Sequence, residues 1–468
     1  MIQARPIFRL ARLTLQAETA HGIHSGRGDS LHDVLLVRDA NGLPALPGSS
    51  LAGVLRHAYV RLHGVDAGNA LFGMLGDQGH PSWLVVDWGL AHDANDEPCE
   101  GMVDPGRIAT DPILGFLQDD KPLVRQRVRL NHRGAAADTG KFDTTLIPAG
   151  TRYTHWLGYW CDGTPASLER WERLLDLLNG PIRLGHGTRS GNGHFRTHAL
   201  ATASWDLATA EGRAGYTQRP RLRRDQHSLA PRAPGAGAGQ LEVRLQLQAE
   251  DGWRIGGGER SLSPHDHEPD LVPQHEARIE WQGGKGRPGR QLHLLPGSAV
   301  KGALRHRVAY HYRRLGQEWA DASLAPTEQC PGVRQLFGNA EDDSGVAGIL
   351  VFQDVQVPDA TTRILMHNRI DRFTGGVMRG ALFSEQVLWR TPLTVSISVL
   401  DDREVEPRAR QALQHALEDL ARGWLPLGAG GSRGLGTFQL VGGGVPEWSD
   451  NGAWIRSQVA SSAQEPQP

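Results

Sequence analysis

Leu46-Pro-Gly-Ser-Ser-Leu-Ala-Gly-Val-Leu-Arg56 returns in the same chain as Leu295-Pro-Gly-Ser-Ala-Val-Lys-Gly-Ala-Leu-Arg305. Each copy is followed by Leu-Phe-Gly (Leu71-Phe72-Gly73 and Leu336-Phe337-Gly338) and then by a Gly-rich loop (Leu184 to Phe195 and Leu427 to Phe438). Three landmarks in one order, at offsets of 249, 265 and 243 residues, describe a duplicated module. A chain of 468 residues has room for two such modules, each with its own core.

Outward from the motif, each copy reads as strand, helix, strands, helix, strand. Leu241, Val243, Leu245 and Leu247 alternate with Glu242, Arg244, Gln246 and Gln248, the period of a strand with one wet face; residues 7 to 17 are a less regular counterpart. Gly26-Arg-Gly28 and Gly256-Gly-Gly258 turn the chain after these strands. The Pro-Gly-Ser element predicts a helix start with serine as N-cap, followed by apolar residues at helical spacing from Leu51 to Leu62 and from Val300 to Val308. Strands are expected at Trp83 to Asp87 and Gly348 to Asp354, and helices around Leu168 to Leu178 and Arg408 to Leu420. The fold class is therefore α+β, with helices on one face of a sheet.

Domain limits follow from composition. Residues 1–206 hold the first module and 239–446 the second; 207–238, rich in Arg, Pro, Gly and Ala without periodicity, read as a linker, and 447–468 as a disordered tail. With 39% hydrophobic and 22% charged residues the chain is an ordinary globular protein, and its net charge of −2 sets up no global field toward polyanions. Local basic runs remain, at Arg125, Arg127, Arg129 and Arg133 and at Arg219, Arg221, Arg223 and Arg224. Cys99, Cys161 and Cys330 have no disulfide or zinc spacing, and there is no signal segment or membrane span, so a cytoplasmic location is expected.

The loops Gly185 to Gly193 and Gly428 to Gly436 carry GxGxxG-type spacing, but they precede strand-like segments rather than open a helix, so a dinucleotide fold is rejected. Backbone N–H groups around Gly187, Gly191, Gly430 and Gly434, with Arg189 and Arg433 adding charge, suit a phosphate backbone. The Pro-Gly-Ser helix starts, at Ser49, Ser50 and Ser298, offer N–H groups to a phosphate, supplemented by Arg56, Lys301 and Arg305. His21, His24 and His32 crowd one loop and His265, His267 and His275 another, without metal-ligand helix spacing.

Taken together, these landmarks resemble the RAMP superfamily of CRISPR-associated proteins, and are most similar to two fused backbone subunits of a type III CRISPR effector. The resemblance implies two tandem ferredoxin-like, RRM-like modules built around RNA, each with an inserted thumb hairpin. Asn368-Arg-Ile-Asp-Arg-Phe-Thr-Gly-Gly-Val-Met-Arg-Gly-Ala-Leu-Phe383 resembles such a thumb and carries Arg369 and Arg372; the first-copy counterpart, Val128 to Asn131 through Lys141 to Asp143, is more divergent and lies beside Arg127 and Arg129. The implied partners are guide RNA, single-stranded target RNA and other effector subunits, with no membrane. The resemblance further implies an RNA-cutting aspartate, Asp33, placed before Arg38-Asp39 and Gly42 to Ser50 and using a divalent metal ion, Mg²⁺ or Mn²⁺.

In the second copy no Arg-Asp follows. Asp270 has the preferred residue type, His275-Glu276 mimics His32-Asp33, and Asp266 is a further candidate. Two other readings stay open: a non-catalytic capping subunit, and a metal-independent guide-processing ribonuclease using His32 or His24 as general acid or base.

Overall fold

The structure is a computed structural model that describes residues 5–24, 35–77, 79–130, 136–233, 241–319, 330–339, 345–400, 405–442 and 444–445. Both halves are mixed α+β, as the sequence predicts. In the first, strands Ile7–Ala17, Arg152–Cys161 and His194–Asp206 form the sheet with Leu84–Val86 and Gly89–Ala91, and helices Gly48–His63 and Pro165–Leu177 pack beside it. His194–Asp206 and Arg152–Cys161 flank Ile7–Ala17, and Arg152–Cys161 in turn carries Leu84–Val86 and Gly89–Ala91, all antiparallel.

The second half repeats this plan. Phe438–Leu440 and Pro392–Val399 flank Leu241–Ala249, and Leu350–Gln353 pairs with Pro392–Val399, again antiparallel. Helices Gly297–Leu315 and Pro407–Ala421 occupy the two crossover positions. Strand order fourth, first, third, second in each half is compatible with the expected ferredoxin-like topology.

Burial explains the sequence patterns. Val243, Leu245 and Leu247 join the second core with Val300, Leu304 and Val308 of the helix and Leu413 and Leu417 of its neighbour, while Arg244 and Gln246 stay exposed. The first core gathers Leu13, Leu15, Leu51, Leu55, Tyr59, Leu157, Trp171 and Phe195. Ile7–Ala17 lacks clean alternation because its other face is covered too, by Phe8, Leu10, Trp156 and Trp205 packed with Tyr216 and Leu229.

That second cover comes from the segment read as a linker. It holds the helix Ala210–Thr217, and Ala230–Pro231 pairs with His194–Asp206. Arg223, buried, pairs with Asp87 and Glu100. The Arg-rich composition thus marks a folded strap rather than an extended connection. Residues 447–468 lie outside the described residues.

The N-cap expectation is corrected. Pro47 and Pro296, not the serines, occupy the caps, and neither helix start has a side-chain cap bond. The cause is close packing: a Cβ on Gly48 would come within 2.0 Å of the Val86 carbonyl oxygen, and one on Gly297 within 2.5 Å of the Phe352 carbonyl oxygen. Glycine must therefore open each helix where it presses on the second strand position, which leaves serine inside the first turn.

Both halves also carry a hairpin at the same place, after the second strand position and before the third. Leu123–Leu130 pairs with Ala136–Leu146 in one, and Thr362–His367 with Phe383–Trp389 in the other. The halves meet where Ser190–Gly191, from the first Gly-rich loop, runs parallel to Phe352–Gln353 and extends the second sheet.

Candidate functional site

Equivalent backbone bonds set the two copies in register. Val37 N donates to Ile23 O at 2.8 Å and Gln274 N to Ile255 O at 2.7 Å; His186 N donates to Gly22 O at 2.9 Å and Ala429 N to Arg254 O at 2.8 Å. Bridges His24–Leu36 and Gly256–Pro273 close the two loops. Asp33 and Asp270 stand at the same distance in sequence before Leu36 and Pro273. His32 and Asp33 themselves lie outside the described residues.

Downstream, Ala45 N donates to Val37 O and Leu294 N to Gln274 O, so the extra length of the second copy falls between these points. It forms a hairpin, His275–Gln282 with Lys285–Leu295. Glu276 belongs to that hairpin, and is buried against Arg125 through two oxygens. Counted back in sequence from the equivalent positions Leu36 and Pro273, Asp270 rather than Glu276 falls at the place of Asp33.

Asp270 is exposed and held against the strand Phe383–Trp389 of the second hairpin, next to its connecting loop. Its Oδ2 accepts from Ser384 N at 2.7 Å and Ser384 Oγ at 2.9 Å, and its own N–H donates to the same hydroxyl's oxygen at 3.0 Å. The backbone bond from Ser384, followed by the hydroxyl, holds the carboxyl below its ordinary value. Asp266 is exposed in the same loop.

Beside Ser384 lies Glu385, fully buried, with two arginines and a histidine around it. Arg254 lies 2.9 Å from Oε1; His367 Nε2 and Arg433 Nη2 lie 3.0 and 3.1 Å from Oε2. Arg433, expected as a direct RNA contact, is thus anchored by one side while staying half-exposed. Gln386 donates to Ser261 Oγ at 2.7 Å and meets His265 Nε2 at 3.1 Å.

The described residues next to the corresponding loop of the first half differ. The rings of His24 and His186 are 5.4 Å apart, and burial lowers both pKa values, helped at His186 by His24 and Arg127. Arg127 donates to Asn192 Oδ1 at 3.3 Å. The Arg38-Asp39 pair is architectural: Arg38 donates to Gly42 O at 2.6 Å and Leu117 O at 2.8 Å, and Asp39 Oδ1 accepts from Asn41 N and Leu43 N.

Among the expected RNA contacts, Lys301 and Arg305 are half-buried one helical turn apart on Gly297–Leu315. Burial lowers the Lys301 amine to about 8, with Arg305 and then Arg189 adding to the effect, and burial also lowers Arg305. No described residue pairs with the Lys301 amine. Arg189 donates to Gly348 O at 2.6 Å across the seam. Arg56 donates to Asn69 Oδ1 at 2.9 Å on the surface. Ser49 is exposed, and Ser50 and Ser298 are half-buried.

The glycines divide by role. Gly187, Gly191, Gly430 and Gly434 all have positive φ, but Gly191 is packed against Asp354 whereas Gly434 faces open space. The start of the second Pro-Gly-Ser helix is engaged within the protein, since Gly297 N donates to Asp354 Oδ1 at 2.8 Å. Arg129, Arg369 and Arg372 are exposed on the hairpins, and the second hairpin also exposes Met366, Ile370, Phe373, Val377 and Leu382.

Sequence reasoning missed Ser384, Glu385, Asn192 and Asp354. A lone Glu385 beside the apolar run Val387-Leu388-Trp389 was the available signal for one of them. Among the described residues, no three His, Cys, Asp or Glu side chains gather as a metal cage, and no helix is long and apolar enough to cross a membrane.

The family model of the RAMP superfamily matches residues 14–196 and 246–439, one region in each half. No curated protein matches the chain.

Proposed function

The chain belongs to the RAMP superfamily, whose members are CRISPR-associated RNA-binding proteins, and from that premise we propose that it is a double backbone subunit of a type III effector that cuts target RNA paired to its guide. The observation that carries this reading is the repeated geometry. In each half the strand end before the loop, Gly22 or Arg254, is bonded by the Gly-rich loop and an inserted hairpin follows the second strand position; in the second half that hairpin holds Asp270 through Ser384. Specificity would reside in base pairing, while the protein grips backbone and shape.

Each residue set has a task in this reading. Lys301 and Arg305, with Arg189 nearby, offer a cationic patch to guide phosphates. The exposed side chains of Phe373, Ile370 and Val377 on the second hairpin, and Val128, Leu130 and Phe142 on the first, wedge between bases. Ser384 fixes Asp270, and Glu385 fixes Arg433 and His367 beside it.

A divalent ion, Mg²⁺ or Mn²⁺, fits a site of this kind: Asp270 Oδ1 remains outside the two Ser384 bonds, and RNA phosphates would complete the shell. When bound, such an ion would supply charge stabilisation at the phosphate, where the neighbouring 2′-OH forms the new P–O bond as the bond to the 5′-oxygen leaving group breaks. Asp33 takes the corresponding role in the first half.

The test is cleavage of complementary target by the assembled, guide-loaded complex. Asp33→Ala should remove one cut, Asp270→Ala the other, and the double variant both; two unchanged cuts in the double variant would sink the assignment. The close His24–His186 pair favours one second reading, acid–base processing of guide precursor. That activity would persist in EDTA and vanish in His24→Ala.

A further inference from the structure

We propose that Arg125 is a positioning residue: it latches the first hairpin onto the second module, so that the two hairpins and the sites beside them are held at one fixed separation. The proposal rests on the reading that both halves act on one RNA.

Arg125 lies on Leu123–Leu130, yet it is buried rather than presented to solvent. Its Nη2 reaches Glu276 Oε2 at 2.7 Å while Nε bonds Oε1 of the same carboxylate. It also lies 2.7 Å from Asp354 Oδ2 and donates to Asn192 Oδ1 at 2.8 Å. Glu276 and Asp354 belong to the second module, Asn192 to the Gly-rich loop of the first. One planar guanidinium therefore joins a hairpin, a loop and two elements of the other half, a geometry that a lysine's point charge cannot reproduce.

Each partner is itself fixed. Asp354 uses its other oxygen to hold Gly297 N at the start of the second Pro-Gly-Ser helix. Glu276 sits on a hairpin that docks on the first module, where Ile279 N donates to Ala149 O and Trp281 Nε1 to Gly150 O at 2.7 Å. Trp281 also lies under Arg152, 4.2 Å from its guanidinium carbon. Burial pulls the Arg125 guanidinium down, and Asp354 and Glu276 more than reverse this. Arg127 supplies a second cation near the two carboxylates, so the buried cluster is close to neutral.

The latch belongs to this seam alone. The Gly48 and Gly297 contacts pair Val86 with Phe352, which puts Trp88 of the first half where the second has Asp354. Glu276 has no counterpart, because its hairpin is the added segment. In the second hairpin, Leu365 opposite Glu385 holds the place of Arg125 opposite Thr144. The cluster is thus a device of the fusion and not of the repeated module.

The test uses the full chain, with spin labels at Gln126→Cys and Thr374→Cys, both exposed; the natural cysteines are buried. Arg125→Met should replace a single narrow label-to-label distance by a broad or shifted distribution, with guide affinity kept. In the loaded complex the interval between the two target cuts should lose its single value, a change that general destabilisation would not produce. A folded Arg125→Met protein with the parent distance distribution overturns the proposal. If Arg125→Met does not fold, Asp354→Asn removes the ion contact while sparing the Gly297 bond, and the same two outcomes decide. The distance measurement needs no cleavage, so a parent that never cuts overturns the functional reading alone.

Discussion

Gly191 stands so close to Asp354 that a Cβ added to it would lie 1.8 Å from Oδ1 and 3.1 Å from Gly297 N. Its φ of +106° also lies where an L side chain is strained. Gly191→Ala must therefore push the first Gly-rich loop off the second sheet. Backbone strain alone costs about 1–3 kcal/mol, and loss of the pairing with Gln353 adds to it. Thermal unfolding should show a clearly lower midpoint than the parent; an unchanged midpoint would mean that the seam is not built as described. Gly434→Ala, with nothing near its Cβ, isolates the φ contribution.

Ser384 gives both its N–H and its hydroxyl to one oxygen of Asp270. Ser384→Ala keeps the backbone bond and removes the hydroxyl. Under the proposed function, this variant should slow the second cut selectively, with the first cut and guide binding close to parent. Product lengths from a timed target digest separate the two. Equal slowing of both cuts, or of neither, would break the link between Ser384 and one site.

Lys301 has its amine lowered to about 8 by burial, Arg305 and Arg189. A bound phosphate favours the charged form, so binding takes up a proton once the pH exceeds this value. Guide affinity should then fall as pH rises through about 8, over and above any salt effect. Lys301→Arg, charged throughout this range, should flatten the profile; the same slope in parent and variant would remove Lys301 from the phosphate contact.

Phe373, 83% exposed near the tip of the second hairpin, is supported by Arg372 over its ring rather than by a core. Phe373→Ala should leave stability unchanged, since nothing buried is lost. If the ring stacks on a base, the change should weaken target binding by about 1–3 kcal/mol, roughly five- to 150-fold. Binding measured on the guide-loaded complex checks this, with Val377→Ala as a second probe of the same surface.

How much of this was legible in the sequence depends on how far each residue acts. The Pro-Gly-Ser motif and the strand Leu241–Ala249 act locally, through a close approach at glycine and a period of two, so their elements could be read directly. Ile7–Ala17 was harder because the strap from 207 to 233 covers its second face and erases the alternation. Arg125 stands in the sequence only as one member of a local basic run, since its carboxylates lie far along the chain and only the folded seam brings them together. The choice between Asp270 and Glu276 likewise needed the backbone bonds of Ile23 and Ile255, because an added hairpin had broken the count from the motif.

His21 is buried, bonds Tyr153 Oη through Nε2 at 2.8 Å, and packs edge-on against Phe195; burial lowers its pKa from 6.5 to about 3. His155, also buried, is lowered to about 4. In both cases the folded state holds the neutral ring while the unfolded chain is free to take up the proton. Between about pH 6.5 and these lowered values the unfolded state binds more protons, so stability rises with pH, by at most about 1.4 kcal/mol per unit for each group. The contribution is complete above pH 6.5 and is lost progressively as the pH falls below it. His21→Gln keeps a polar partner for Tyr153 but cannot titrate: it should be less stable than the parent at pH 7.5, through poorer packing, and lose less on moving to pH 5. Urea unfolding at the two pH values measures that difference of slopes, and parallel losses in parent and variant would show that His21 is not held neutral by the fold.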